Sequence, residues 1–390
     1  MRRVRLKEFG TFYSGLSGKS KSDFSEGNAL LVTYRNIFNN PVLNPAIKDT
    51  VVVGKDEKQN EVLWGDILIT GSSETPADAG MSSVVLFNPQ EKMYLNSFCF
   101  GFRLNDMNEA LPSYIGHLLR STSIRAAISK TAFGVTRFNV NRMRFADIEI
   151  PLPPLNIQKE IVSILDSFTS LIGKMKQEVE MRKKQMEYYR EKLMAPQTNW
   201  KIKTLGEIGT FTRGNGLQKS DFRVKGFPCV HYGQIHTYYN TCIYKTKSFC
   251  EEDLAKKLQK ASYGDLLIAT TSEDVKACCK AAVWFGTGDV AYSGDSFCYS
   301  HDQDPKYMAY LFQTEMFAKQ KQKAATGAKV IRVSGESMAS FSFAFPPLVQ
   351  QHQIASILDT FETYISKLEK MIELRQKQYE YYREKLLTFE

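Results

Sequence analysis

Ile161, Leu165, Phe168, Ile172, Met175, Val179, Arg182, Met186, Tyr189 and Leu193 step along the chain by four and three, ending in Tyr188-Tyr189-Arg190-Glu191-Lys192-Leu193. That alternation is a heptad seam, one stripe of a long helix. The same stretch occurs again as Ile354, Leu358, Phe361, Ile365, Leu368, Ile372, Arg375, Tyr379, Tyr382 and Leu386, closing on Tyr381-Tyr382-Arg383-Glu384-Lys385-Leu386. Apart from Gly173, neither segment contains a helix breaker, so each reads as a helix of more than thirty residues, about 50 Å at about 1.5 Å per residue. Core helices seldom run this long, and the nearest equal partner able to cover each seam is the other helix.

Working outward, the repeat extends over nearly the whole chain. Pro153-Pro154-Leu155 returns as Pro346-Pro347-Leu348, and Ile164-Leu165-Asp166 as Ile357-Leu358-Asp359, at the same offset of 193 as the tyrosine motif. The heads match as well: Leu6-Lys7-Glu8-Phe9-Gly10-Thr11-Phe12 parallels Leu205-Gly206-Glu207-Ile208-Gly209-Thr210-Phe211, and Lys21-Ser22-Asp23-Phe24 parallels Lys219-Ser220-Asp221-Phe222. Trp64-Gly65-Asp66-Ile67-Leu68-Ile69 answers Tyr263-Gly264-Asp265-Leu266-Leu267-Ile268. Between these anchors the halves diverge, as expected of one scaffold used twice on two targets.

Connectivity decides how the helices pair. The first ends near Met194, and a compact insert of about 140 residues, with a radius near 15 Å, returns the chain to Pro346-Pro347 at the start of the second. An insert of that size does not span a full helix length, so the helices are expected to be antiparallel, with one globular domain at each end of a pseudo-two-fold dumbbell. The expected divisions are 1–150, a first helix at 151–195, a second globular domain at 196–345 and a second helix at 346–390. Ile150-Pro151-Leu152-Pro153-Pro154 and Phe345-Pro346-Pro347 lack backbone donors and favour extended geometry, so they read as stiff joints that set each domain's angle.

The composition is that of an ordinary globular chain of 390 residues with a net charge of +9, which favours a polyanionic partner. No apolar run of signal or membrane-spanning length occurs, and the seven cysteines lack the spacing of a disulfide framework, so a reducing cytoplasm is expected. Cys229, His231, His236 and Cys242 match no common zinc spacing. They read instead as same-face strand residues (Cys229, His231) followed by loop residues (His236, Cys242), and no metal site is assigned.

Together these residues resemble the specificity subunits of type I restriction-modification enzymes. The resemblance rests on Ile150-Pro151-Leu152-Pro153-Pro154-Leu155 with Gln158 and Ile161, on Phe345-Pro346-Pro347-Leu348 with Gln351 and Ile354, on the Gly-Asp strand in each half, and on the duplicated layout. The position before each Gln, commonly acidic in the family, is Ile157 and Gln350 here. The resemblance implies an α+β fold: two mixed α/β target-recognition domains separated by two long antiparallel coiled-coil helices. It further implies a non-catalytic chain that binds double-stranded DNA together with two methyltransferase subunits and restriction/translocase subunits. S-adenosylmethionine, ATP and magnesium would be used by those partners, and this chain would bind no cofactor. The alternative is a stand-alone DNA-binding scaffold without active catalytic partners.

Two unlike reading domains imply two unlike half-sites separated by an unread gap, since entries to the major groove on one side of a duplex recur about every 10 base pairs. Candidate DNA contacts in the first domain are Tyr34, Arg35 and Asn36, then Ser72, Ser73 and Thr75, then Arg137, Asn139 and Arg142. Their counterparts are Tyr232, Gln234 and His236, then Thr271, Ser272 and Lys276, then Lys329 and Arg332. Arg suits guanine edges, Asn adenine edges, and hydroxyls phosphates. Lys19, Lys21 and Lys219 are candidate phosphate contacts. Tyr188 and Tyr381, expected to face outward from each helix, are candidate docking residues for the modification subunits.

Catalytic motifs fail. Phe285-Gly286-Thr287-Gly288 is a short glycine pattern without a counterpart in the first half, and the Pro-Pro pairs are followed by Leu155 and Leu348, as suits a joint and not a base pocket. Asp265 with Asp274-Val275-Lys276 has nuclease-like spacing, but the aligned first half keeps only Asp66, with Thr75 and Ala77 in place of the other two groups.

Overall fold

The computed structural model of the protein describes residues Arg2–Phe389 and divides into two compact units. Unit 1 comprises the residues up to Lys176 together with those from Lys370 onward; unit 2 is Gln177–Glu369.

Unit 1 is built on an antiparallel sheet of Gly10–Ser14, Cys99–Leu104, Ile67–Thr70 and Ser82–Val84, in that spatial order. A second sheet holds Thr50–Val51, Ala29–Val32 and Met93–Leu95, the last two parallel. The Gly-Asp strand Ile67–Thr70 is buried at every position because both faces are covered. Asp66 just before it is also fully buried, and its carboxylate is satisfied by the Tyr13 hydroxyl (2.6 Å), the Leu63 amide (2.8 Å) and a bidentate Arg103 (2.7 and 2.7 Å).

Unit 2 repeats this plan with one strand more in each sheet: Gly209–Arg213, Ser296–His301, Leu266–Ala269, Lys280–Trp284 and Cys242–Ile243 in one, and Ser248–Cys250, Phe227–Val230, Val290–Tyr292 and Lys260–Ala261 in the other. Asp265 occupies the place of Asp66 but accepts from the Ser262 amide (2.8 Å) and the Cys298 thiol (3.4 Å), so both aspartates are framework groups. The four residues weighed as zinc ligands depart in part from their expected placement. Cys229 is on a strand, but His231 caps the short helix Tyr232–Thr237, which carries His236, while Cys242 starts a strand. His231 is therefore a helix cap and not a strand residue, and neither His236, on the helix that the cap starts, nor Cys242, paired in parallel with Val283, lies in a loop. Among the described residues no cluster of three or more His, Cys, Asp or Glu side chains is placed to hold a metal ion, and no helix is long and apolar enough to cross a membrane.

The long helices run Leu155–Leu193 and Leu348–Leu387. Each begins directly after a Pro-Pro pair, whose second carbonyl accepts from the first-turn amides: Ile157 and Gln158 on Pro154, Gln350 and Gln351 on Pro347. The proline lead-ins are more than stiff joints. Glu149–Leu152 pairs antiparallel with Arg2–Arg5, and Ser342–Phe345 with Lys201–Thr204, so each is zipped to the strand that opens its own globular part. Gln158 completes the anchorage: its Oε1 accepts from the Leu111 amide, and its Nε2 donates to the Glu109 and Pro153 carbonyls. Gln351 repeats this with the Asp304 amide, the Gln303 side chain and the Pro346 carbonyl.

The helices pair antiparallel. Within unit 2, Lys183 meets Glu369 (2.9 Å) and Tyr189 stacks on Phe361 (5.5 Å between centroids), so advancing along one helix means retreating along the other. Within unit 1, Phe168 stacks on Tyr382 (5.4 Å), and His117 links Asp166 of the first helix to Tyr379 of the second. The seam belongs to the cores of the units: Ile161, Leu165, Ile172 and Tyr379 join that of unit 1, and Ile354 and Leu358 that of unit 2, while at the end of the second helix Leu387 is buried and the expected Leu386 is only half-buried beside it. Truncation of one such leucine to alanine typically costs about 2–5 kcal/mol.

Candidate nucleic-acid interface

Each unit carries a small antiparallel ribbon beyond its Gly-Asp strand. In unit 1 Ser72–Ser73 pairs with Phe138–Val140, which in turn pairs with Ala132–Phe133. The connecting tip begins at Gly134, whose φ of +132° and a would-be Cβ only 2.1 Å from the Arg137 carbonyl demand glycine. Val135 at the tip is 89% exposed. Arg137 lies across the ribbon, with Nε and Nη2 both donating to Ser72 Oγ (3.0 and 2.8 Å) and its guanidinium 5.0 Å from the centre of the Phe98 ring.

These groups face a cleft of about 580 Å³ closed on its far side by Tyr34, stacked on Phe38 at 5.7 Å. Tyr34, Ser72, Ser73, Thr75 and Arg137 thus meet in one cleft, as a shared interface requires. Asn139 is exposed on the same ribbon, opposite Ser72. Arg142 donates to Ser14 Oγ (2.8 Å) over the Phe100 ring, and partial burial lowers the basicity of its guanidinium. Arg35 is exposed, whereas the Asn36 side chain holds its own loop, accepting from Asn40 and the Asn44 amide. Lys19 is committed internally, its ammonium paired with Glu57 (2.5 Å) and its side chain nearly covered; Lys21 is exposed. The Lys19 partnership, with the Gly54 amide, holds the Glu57 carboxyl down at about 2.

In unit 2 Thr271–Ser272 pairs with Ile331–Arg332, and the tip again begins at a left-handed glycine, Gly327 (φ +98°). Lys329 and Arg332 are exposed on this hairpin and Lys276 on the loop before it. His236 Nε2 lies 2.9 Å from the Thr271 carbonyl, and Thr271 Oγ1 donates to Asp295 (3.2 Å), which ties ribbon to body. The Gln234 side chain is spent on the His231 amide and Ser248. A second cleft, of about 470 Å³, lies between Arg213, Gln218, Tyr232 and Asp295. Lys219 is exposed next to Gln218 on this face.

Phe98, Val135, Thr136 and Arg213 escaped the sequence reading. Gly134 and Gly327, which match at the offset of the tyrosine motif, are the sequence signal that fixes where the two hairpin tips begin. Tyr188 and Tyr381 do face outward, 60% and 61% exposed, each edge-on to its neighbouring tyrosine at 5.4 Å.

Duplicated α+β units with matching, differently furnished ribbons define a sequence-recognition protein with two reading heads. The chain belongs to the family of the type I restriction modification DNA specificity domain, whose profile matches residues 1–181 and again 197–376. Members of that family are the non-catalytic, DNA-recognising subunits of type I systems. A type I restriction enzyme specificity subunit of Haemophilus influenzae is 31% identical over 272 residues, 66% of this chain and 68% of the relative. The EcoR124I/EcoR124II specificity subunit of Escherichia coli is 28% identical over 256 residues, 62% of this chain and 63% of the relative, so the match spans somewhat under two thirds of that protein. The fold is similar to that of the crystallised type I restriction-modification system S subunit from M. genitalium (TM-score 0.57, 14% identity, covering 100% of this chain and 96% of that one). A chain from a solved type I R-M system is similar at a TM-score of 0.60, with 14% identity and coverage of 99% and 97%.

Proposed function

We propose that the chain reads a split, asymmetric DNA site, one half with each unit, and presents it to two modification subunits. The observation that carries this is the repeated ribbon with unlike tips: Gly134-Val135-Thr136-Arg137 in one unit and Gly327-Ala328-Lys329-Val330 in the other, on the same strand framework. Arg137 and Asn139 supply base-edge donors in unit 1 and Arg332 in unit 2, while Ser73, Lys21, Lys219, Lys276 and Lys329 supply phosphate contacts. Tyr188 and Tyr381, equally exposed at equivalent places, serve as matching docking points for the methyltransferase subunits, and restriction subunits join through them. S-adenosylmethionine, ATP and magnesium act in those partners, and the complex works in the cytoplasm.

Selection of bound sequences from a random DNA pool by the chain complexed with its modification subunit tests this. The expected product is two dissimilar short motifs at one constant separation; a single contiguous motif or a perfect palindrome overturns the reading.

A further inference from the structure

Unit 2 contains two adjacent cysteines, Cys278 and Cys279, where unit 1 has Ala79 and Gly80. Gly80 is left-handed at φ +67°, and Cys279 holds the same conformation at φ +61°, the one non-glycine with positive φ among the described residues. A side chain there is strained, and such strain persists only where the surroundings enforce it. Both thiols are 1% exposed, and their sulfurs lie 3.9 Å apart. The Cys278 thiol donates to the Thr270 carbonyl (3.2 Å) and approaches that of Ile331 (4.0 Å), so it sits beneath both strands of the reading ribbon. The buried Lys321 ammonium donates to the Cys278 carbonyl (2.8 Å) and the Lys276 carbonyl (2.9 Å), binding the same loop. A cavity of about 600 Å³ has both cysteines in its lining, beside Lys276, Phe312 and Lys321.

We propose that Cys278 and Cys279 are a reversible oxidation site, at which a peroxide closes the two thiols into a ring disulfide and displaces the reading ribbon of unit 2. The effect on DNA rests on the recognition reading above; the thiol chemistry does not. The hydrogen bond from Cys279, with the Lys321 charge behind it, holds the Cys278 thiol below its ordinary range, while the same interaction and burial push Cys279 up. Cys278 is therefore the sulfur that ionises. Its thiolate attacks one peroxide oxygen, the O–O bond breaks, and the departing hydroxide takes a proton and leaves as water. The Cys279 sulfur then attacks the resulting sulfenic acid, forming the S–S bond and releasing a second water, so that two thiols lose the two electrons the peroxide gains. Closure draws the sulfurs to about 2.05 Å and removes the thiol donor from the Thr270 carbonyl. Neighbouring Cα atoms are about 3.8 Å apart, closer than in ordinary disulfides, so the ring is strained and easily reduced.

The full chain is treated with hydrogen peroxide, alkylated, digested and weighed. The expected result is a Cys278–Cys279 peptide lighter by two hydrogens and protected from alkylation until dithiothreitol is added. Affinity for the half-site read by unit 2 falls roughly tenfold and recovers on reduction. Cys279→Gly, which suits the left-handed backbone, folds, binds DNA and yields no peptide lighter by two hydrogens after peroxide. Full alkylation of both thiols after peroxide, conversion to sulfinic acids, or a bridge between Cys229 and Cys250 instead overturns the proposal, as does a ring that forms without changing affinity. A reduced chain that binds no DNA overturns the recognition reading, while the peptide mass still decides the thiol site.

Discussion

At the scale of single residues, neighbours decide which charged and polar groups remain free to act. Arg137 is held by Ser72 and Phe98 but keeps donors for a ligand in the cleft, whereas Lys19 is engaged by Glu57. Arg137→Ala is expected to weaken binding to the cognate site by about 1–3 kcal/mol and to relax base preference at one position of one half-site. Competition with singly substituted sites checks this, and uniform weakening across all substituted sites would make Arg137 a phosphate contact. Titration is equally local. Burial holds the imidazoles of His301 and His231 below their ordinary value, and His301 Nε2 is enclosed without a hydrogen-bond partner among the described residues. Each ring therefore takes up a proton more readily in the unfolded chain, so their contribution to stability is complete above about pH 6.5 and is lost as pH falls below that value. Thermal unfolding is expected to shift to lower temperature between pH 7 and pH 5, and His301→Gln to flatten part of that slope.

At the scale of elements, the sequence was most legible where periodicity and backbone chemistry act alone. The heptad seams gave helices, the Pro-Pro pairs gave their starts, and Gly-Asp preceded a strand in both halves. Side-chain roles that depend on long-range partners were not legible. Nothing near Gln158 announces that it bonds to the Leu111 amide 47 residues away, and nothing in the tyrosine motif announces that its glutamates cap helices of the globular parts. Yet Glu384 accepts from the Thr122 amide (2.9 Å) at the start of Thr122–Ser129, and Glu191 from the Glu315 amide (3.2 Å) at the start of Glu315–Ala324. Both carboxylates face the positive end of a helix. The reading tips were the least legible, because their conformation hangs on one glycine and on pairing across the ribbon. Gln158→Ala strands a buried amide and two carbonyls and is expected to cost about 2 kcal/mol, read as a lower denaturant midpoint. Gln158→Glu keeps the acceptor but sets a buried carboxylate oxygen against two carbonyls and should cost at least as much.

At the scale of the whole molecule, the duplication was visible from the first comparison of its ends, and the antiparallel pairing followed from chain connectivity alone. What the repeat does not encode is the identity of the bases, since the framework is shared and the tips are not. Each long helix runs unbroken through residues of both units, and the split-site reading proposed above predicts that removal of one heptad from each, about 10 Å of helix, shortens the unread gap by about three base pairs and leaves both motifs unchanged. Site selection with the shortened chain measures it, and an unaltered gap would show that helix length does not set the spacing.

The strand clasps at Arg2–Arg5 with Glu149–Leu152, and at Lys201–Thr204 with Ser342–Phe345, bring the entrance and exit of each globular part side by side. A segment brought in from elsewhere would therefore have to carry two things to fit: strands that match the clasp, and the groups that grip the helix behind it, such as the Leu111 amide for Gln158 and His117 for Asp166.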